Sequence, residues 1–118
     1  MKALWAALFV ACAGVASAQQ VSTAPGATIR GLDKVSGELV DMTLLAGEAK
    51  MVGRLQVSLG QCRYPTDNPA GNAYAWLEIY DAVERQMVFS GWMVASAPAL
   101  NPLDHPRYDV WVLRCSTE

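Results

Sequence analysis

The sequence predicts a small all-β domain, an antiparallel β-sandwich or partly open barrel cross-linked by one disulfide. Short segments in which apolar and polar residues alternate recur along the chain, as in residues 54–59. Glycine, proline and asparagine separate these segments, as turns between strands require. Two cysteines, Cys62 and Cys115, follow a predicted N-terminal leader, and an even count in a small exported chain is typical of a disulfide.

The N-terminal segment, residues 1–18, has the pattern of a secretory signal peptide. Lys2 provides the positive charge, residues 3–10 are apolar, and small residues precede the expected cut after Ala18. The alternatives are a membrane anchor and a lipid anchor on Cys12. The apolar stretch is shorter than the ~20 residues of a spanning helix, and the residues before Cys12 depart from the usual lipidation motif. We therefore expect an exported protein with no membrane span after cleavage.

The predicted domain begins with a hairpin. Residues 19–27 contain a proline and a glycine and show no periodicity, so we expect a flexible leader there and a single β domain over residues 28–118. Within that domain, residues 28–35 and 38–44 have the composition of two strands joined at a Ser-Gly turn.

Two further strands carry the cysteines. Residues 54–59 alternate strictly, and Cys62 follows after a glycine at which the strand can bend. Residues 108–115 are apolar on both faces, which predicts a central strand covered on two sides. A disulfide between Cys62 and Cys115 requires the two strands to lie beside or across from each other. The wide spacing of the cysteines argues for a structural disulfide rather than a redox-active pair.

The segment between these strands permits two interpretations. Residues 65–72 contain two prolines and are predicted to form an exposed loop. Within residues 73–89, an apolar stripe at helical spacing predicts a helix. The alternation of Ala75, Leu77 and Ile79 with larger side chains predicts a strand instead. The residues alone leave this choice open.

Composition argues against several kinds of function. Nine basic and eleven acidic residues do not provide the clustered positive charge that nucleic-acid binding needs. One histidine and three cysteines are few for a metal site, and the sequence contains no nucleotide- or calcium-binding motif. We therefore expect no nucleic-acid partner, no metal and no cofactor.

His105 is the only histidine in the sequence, and a hydrolase would pair it with Ser90 or Ser96 and an acid such as Asp104. No Gly-x-Ser-x-Gly motif surrounds either serine. Asp104 and His105 are adjacent in a loop, where side chains usually diverge. We therefore expect His105 to hydrogen-bond the backbone of its loop, and we assign no catalytic residue. The loop around His105 is rich in proline, with Pro98, Pro102 and Pro106. This proline-rich loop, including Asp104 and His105, is a candidate surface for a protein partner because its prolines make it rigid.

Aromatic residues provide a second candidate surface. If the 73–89 segment is extended, Tyr74, Trp76 and Tyr80 face away from the core and can contact a sugar ring or a protein partner. Trp92 and Trp111 are expected in the core.

Several runs of residues resemble a known family. Residues 89–93 (FSGWM), 101–115 (NPLDHPRYDVWVLRC), 30–37 (RGLDKVSG) and 76–79 (WLEI) resemble the DUF2155 family, exported proteins of Gram-negative bacteria. The resemblance covers most of the chain after the signal peptide. It implies a periplasmic all-β domain with two cysteines, favours two strands with a turn near residues 83–86, and brings no assigned activity. It also points to an envelope or respiratory complex as the context.

We therefore expect a periplasmic, non-catalytic binding or accessory domain whose partner is another envelope protein or a cell-wall component. The alternative is a peptidoglycan- or polysaccharide-binding module that uses Tyr74, Trp76 and Tyr80. A Ser/His hydrolase has the least support.

Overall fold

The computed structural model describes residues 20–117 as eight β-strands and one 3-10 turn. The strands are β1 (Val21–Ala24), β2 (Gly26–Asp33), β3 (Leu39–Leu45), β4 (Ala49–Val52), β5 (Leu55–Pro65), β6 (Tyr74–Asp81), β7 (Gln86–Val94) and β8 (Tyr108–Ser116), and the 3-10 turn is Pro98–Leu100. The predicted signal peptide, residues 1–18 with Cys12, lies outside the described residues. Across the described range, no helix is long and apolar enough to span a bilayer.

The strands form two antiparallel sheets. In the five-stranded sheet, β1, β5, β6 and β7 are neighbours in that order, and β4 pairs with the first part of β5 along the edge that β1 uses further on. The three-stranded sheet has the order β3, β2, β8. Neither sheet closes on itself. The fold is therefore a β-sandwich rather than a barrel, and the all-β prediction is confirmed.

Alternating side chains from both sheets share one hydrophobic core. The largest fully buried apolar side chains are Leu55, Val57, Leu59, Leu77 and Ile79 from the five-stranded sheet and Ile29, Leu44, Val110 and Val112 from the three-stranded sheet. Burying a side chain of this size contributes about 1.5–3 kcal/mol. Burial on a single face of each sheet explains why the alternation in the sequence predicted strands.

Two β-bulges turn the cysteines into this core. Strict alternation after Leu59 would point Cys62 outwards, but Gly60 is an extra residue in the pairing of β5 with β6. Leu113 is the corresponding extra residue in the pairing of β8 with β2 and turns Cys115 inwards. The two cysteines form a disulfide with Cα atoms 5.7 Å apart and a sequence separation of 53. The disulfide joins the two sheets, so β8 lies across from β5, as predicted.

The start of the domain differs from the expected flexible leader. Val21–Ala24 forms β1, which pairs antiparallel with the end of β5. Gly26 and Ala27 are buried and belong to β2. The four-residue strand is too short to show a period, and Pro25 interrupts the pattern, so backbone pairing rather than side-chain alternation forms this element.

β8 lies at an edge of its sheet and not at the centre, which corrects the prediction for residues 108–115. Its one strand partner within the described structure is β2. Trp111 and Leu113, on the outer face, are half-buried. Outward apolar residues that are partly covered give the same sequence pattern as a strand buried on both faces.

β6 and β7 form a hairpin with a turn at residues 82–85, as the resemblance implied. The alternation therefore predicted this segment correctly, and the helical stripe did not. Asp81 Oδ1 accepts hydrogen bonds from the backbone N–H groups of Val83 and Glu84, at 3.0 and 3.1 Å. These two bonds shape the turn, because an aspartate side chain in this position replaces a backbone acceptor.

Candidate functional site

The outer face of the β6–β7 hairpin carries most of the aromatic residues that the sequence singled out. The inward positions of β6 are buried, so Tyr74, Trp76 and Tyr80 point away from the core. Trp76 lies opposite Trp92 of β7, and Tyr74 lies opposite Arg63 of β5. We call Arg63, Tyr74, Trp76 and Trp92 the aromatic face.

Close contacts hold the aromatic face together. The rings of Trp76 and Trp92 meet edge to face, with centroids 5.5 Å apart and planes inclined at 75°. The guanidinium carbon of Arg63 lies over the Trp92 ring, 5.1 Å from its centroid. Arg63 Nε and Nη2 both donate hydrogen bonds to Gln61 Oε1, at 3.2 and 2.9 Å. These contacts restrict the rotamers of three long side chains before any ligand binds.

Small and polar neighbours support the same side chains. A Cβ atom on Gly60 would lie 2.7 Å from Cδ1 of Trp76, so a larger residue at this position would displace the indole. Asn72 Nδ2 donates to the hydroxyl oxygen of Tyr74 at 3.3 Å. The Asn72 side-chain oxygen accepts hydrogen bonds from two backbone amides, which fixes the amide group in turn.

A shallow groove of about 210 Å³ crosses the aromatic face and is lined by Val21, Arg63, Tyr74 and Trp92. The groove is therefore bordered by apolar surface and by one guanidinium group. Half-buried aromatic rings beside a cation form a surface that can stack on a flat ligand and hydrogen-bond to it.

The structure brings together two of the three predicted aromatic residues. Tyr74 lines the groove, and Trp76 lies beside it through its contact with Trp92. Tyr80 lies four residues from Trp76 along β6, roughly 13 Å away at the usual rise of a strand, and does not line the groove. Trp92 takes its place, although it was expected in the core. Phe89 and Met93 face inwards in β7, and that alternation was the signal that Trp92 faces outwards. Nothing in the local sequence marked Arg63.

A second polar cluster is buried where the loop before β8 meets the end of β6. His105 is 5% exposed and Asp81 is 0% exposed. His105 Nδ1 accepts hydrogen bonds from the backbone N–H groups of Arg107 and Tyr108, at 3.0 and 3.2 Å. Because Nδ1 accepts both bonds, the hydrogen of the neutral imidazole ring lies on Nε2, which donates to Asp81 Oδ2 at 3.0 Å.

Asp81 is an ionised carboxylate inside the fold. Burial acts to raise its pKa, but hydrogen bonds from His105 and from the amides of Glu84 and Val83, together with the charge of Arg54, lower the pKa from 3.8 to about 2. Arg54 Nε lies 3.2 Å from Asp81 Oδ2. The carboxylate therefore links the β6–β7 turn, the loop before β8 and the start of β5.

This cluster gives His105 a structural role. Both ring nitrogens are engaged, so neither can take a proton from Ser90 or Ser96, which are exposed. His105 bonds to the backbone of its own loop as expected, and its carboxylate partner is Asp81 rather than the adjacent, exposed Asp104. Because it is buried, His105 also offers no surface to a protein partner. The signal that was missed is Asp81 itself, an acidic residue at an inward strand position, which needs a buried donor.

A further groove, of about 270 Å³, lies between the proline-rich loop and β8. Its lining residues are Pro98, Ala99, Pro102, Asp109, Val110 and Trp111. Trp111, which was expected in the core, is half-buried at this groove. No group of three or more His, Cys, Asp or Glu side chains in the described part of the chain is arranged to hold a metal ion.

Comparison with known proteins gives a family and no assigned activity. A curated relative, an uncharacterized protein of Rickettsia prowazekii (strain Madrid E), is 28% identical over 87 residues, which cover 71% of this chain and 56% of the relative. The chain thus spans little more than half the length of this relative. No solved structure matches the chain significantly. The sequence profile described as "Uncharacterized protein conserved in bacteria (DUF2155)" matches residues 27–115, from the second residue of β2 to Cys115 of β8. The chain therefore belongs to the DUF2155 family.

Proposed function

We propose that this protein is an exported, non-catalytic binding domain and that the aromatic face binds a glycan of the cell envelope. The observation that carries the proposal is the rigid cluster of Trp76, Trp92 and Arg63 beside an open groove. Aromatic side chains that are partly exposed and already ordered lose little conformational entropy on binding, which favours a ligand-binding role.

The position of the aromatic face in the sheet favours a ring-shaped ligand over an extended peptide. Peptides commonly bind a sheet by adding a strand to its edge. The aromatic face spreads over β5, β6 and the edge strand β7, and β5 and β6 each pair with strands on both sides. The outer face of the sheet presents side chains rather than backbone groups, so a ligand in the groove contacts side chains, and sugar rings stack well on indole and phenol rings.

Export is supported by the signal-peptide pattern of residues 1–18 and by the disulfide, which is typical of oxidising compartments. Intact-mass measurement on protein recovered from the periplasm tests it. We expect a chain that begins at Gln19 and is lighter by two hydrogen atoms than the reduced chain, because its cysteines are oxidised to a disulfide. A full-length chain recovered from the cytosol would contradict export.

Cosedimentation with purified peptidoglycan tests the binding role. We expect the wild-type protein to pellet and Trp76→Ala to lose at least about ten-fold in affinity, because Trp92, which lines the groove, loses its edge-to-face partner and an aromatic anchor of a binding site contributes about 2 kcal/mol or more. Trp111→Ala removes the same side chain from the opposite sheet and is the matched control. Equal pelleting of both variants, or no pelleting of the wild type with peptidoglycan or other envelope polysaccharides, would refute the proposal.

A second candidate function is an accessory role in an envelope or respiratory complex, with a protein partner bound at the groove beside Pro98, Pro102 and Trp111. The volume and apolar lining of that groove favour it. Crosslinking in membranes should then give a defined adduct that Trp111→Ala loses and Trp76→Ala retains. The reverse dependence would favour the aromatic face, and an adduct that neither variant affects would argue against both surfaces.

A further inference from the structure

Arg63 differs from the other half-buried arginines in having no acidic partner. Arg30 pairs with Asp41, and Arg54 pairs with Asp81. Arg63 is buried to a similar degree, yet among the described residues no carboxylate lies within ion-pair distance of it. Partial burial of a cation without an opposite charge is unfavourable. An anionic group on a ligand would remove that cost.

The contacts of Arg63 leave a defined part of its guanidinium group available. Gln61 Oε1 takes one hydrogen bond from Nε and one from Nη2, and the guanidinium carbon lies over the Trp92 ring. A guanidinium group has five N–H donors, so both donors of Nη1 and one donor of Nη2 remain. One donor of Nη1 and the remaining donor of Nη2 lie along the edge that binds a carboxylate with two parallel hydrogen bonds.

We propose that the aromatic face binds glycans whose rings carry a carboxylate, and that the Nη1–Nη2 edge of Arg63 binds that carboxylate while Trp92 and Tyr74 contact the sugar ring. This inference rests on the proposed glycan-binding function and narrows it to acidic sugars. The groove places Arg63, Tyr74 and Trp92 around one space, so a ring stacked there has its substituents within reach of the guanidinium group. The shared chemistry is a carboxylate on or near a pyranose ring, as in uronic acids or in the lactyl ether of muramic acid.

Titration calorimetry with two matched hexasaccharides tests the inference. One is the neutral oligomer of N-acetylglucosamine, and the other is a hyaluronan hexamer, in which N-acetylglucosamine alternates with glucuronate. The full chain, expressed with its own leader and purified with its disulfide intact, should bind the hyaluronan hexamer about ten-fold or more tightly than the neutral oligomer. Arg63→Gln should lose this preference and bind the two hexamers with affinities within about two-fold of each other.

Two controls separate the specific contact from general charge. Arg85→Gln removes an exposed cation from the turn at the far end of the same hairpin and should keep the full preference. Arg63→Lys should lose most of the preference for the acidic hexamer, because an ammonium group cannot form a bidentate pair of hydrogen bonds with a carboxylate. A muramic-acid disaccharide that outcompetes the hyaluronan hexamer would support the lactyl carboxylate as the natural group.

Three results would overturn the inference. Equal wild-type affinity for the neutral and acidic hexamers would do so while leaving the glycan-binding function intact. Arg85→Gln and Arg63→Gln lowering the preference equally would show that only net charge matters. A hexamer of glutamate bound as tightly as the hyaluronan hexamer would show that the groove takes acidic peptides rather than sugars. Failure of the wild type to bind any glycan would instead refute the proposed function on which the inference rests.

Discussion

Removal of the Cys62–Cys115 disulfide should cost the domain a large part of its stability. The bond closes a loop with a sequence separation of 53. Closing a loop of that length lowers the entropy of the unfolded chain by about 14 cal/mol/K, which corresponds to about 4 kcal/mol at 25 °C. Domains of this size have unfolding free energies of about 5–15 kcal/mol. Reduction should therefore lower the melting temperature by about 15–30 °C.

Urea denaturation followed by tryptophan fluorescence measures the effect. Three samples are compared: oxidised wild type, reduced wild type, and Cys62→Ala/Cys115→Ala. The reduced protein keeps both sulfur atoms in the core and so isolates the effect of the covalent link, whereas the double variant adds about 1 kcal/mol or more for lost packing. If oxidised and reduced wild type unfold with free energies within about 1 kcal/mol of each other, the chain-entropy argument is refuted.

Three other variants follow from the buried cluster and the bulge. His105→Ala should lower the unfolding free energy by about 2–3 kcal/mol, because Asp81 loses its buried donor and two backbone amides lose their acceptor. The pKa of Asp81 is lower in the folded protein than in the unfolded chain, so ionised Asp81 stabilises the fold above about pH 4. This contribution to the unfolding free energy disappears as the pH falls towards 2. Asp81→Asn should remove this pH dependence. Gly60→Ala should displace Trp76 and weaken glycan binding by about ten-fold while lowering the unfolding free energy by only about 1 kcal/mol.

Each of these expectations has a control. His105→Ala is compared with Pro106→Ala, a change at an exposed neighbour in the same loop, and equal effects would mean that the hydrogen bonds contribute little. The pH dependence of the unfolding free energy is compared between Asp81→Asn and Asp104→Asn, which changes an exposed acid. If Asp81→Asn lost stability towards pH 2 as steeply as the wild type, Asp81 would not be the group responsible. Unchanged Trp76 fluorescence in Gly60→Ala would show that the indole tolerates a methyl group at that position.

The alternating strands could be predicted from sequence, and β8 could be predicted from its continuous apolar run, but a short strand without either pattern could not. Leu55, Val57 and Leu59 gave β5 its inward face directly. The 73–89 segment needed the family resemblance, because its side chains satisfied a helical stripe as well. β1 was missed because four residues ending at a proline carry no period and pair only through their backbone. Whether β8 is central or at an edge depends on which strands flank it, and its own residues do not encode that.

The candidate site was predicted in part. Tyr74 and Trp76 were identified from the alternation of β6. Arg63 and Trp92 reach them only through the pairing of β5, β6 and β7, which joins residues distant in sequence. His105 was assigned to a loop and to backbone contacts, and its link to Asp81 arises because the loop before β8 folds onto the end of β6. The local pattern of residues along one chain does not specify which distant segments pair with each other.

The two β-bulges make the redox chemistry of this domain depend on strand register. Because a strand has a period of two, a register in which Gly60 or Leu113 paired as an ordinary residue would turn one sulfur to the solvent and leave the other alone in the core. Deletion of either residue would instead remove the bulge itself and keep its cysteine inward. In an oxidising compartment an exposed thiol can cross-link one chain to another. Loss of the bulge at Gly60 by such a register shift would also turn Arg63 inwards, so one slip of β5 would abolish both the intramolecular cross-link and the cation beside Trp92, and would favour covalent oligomers.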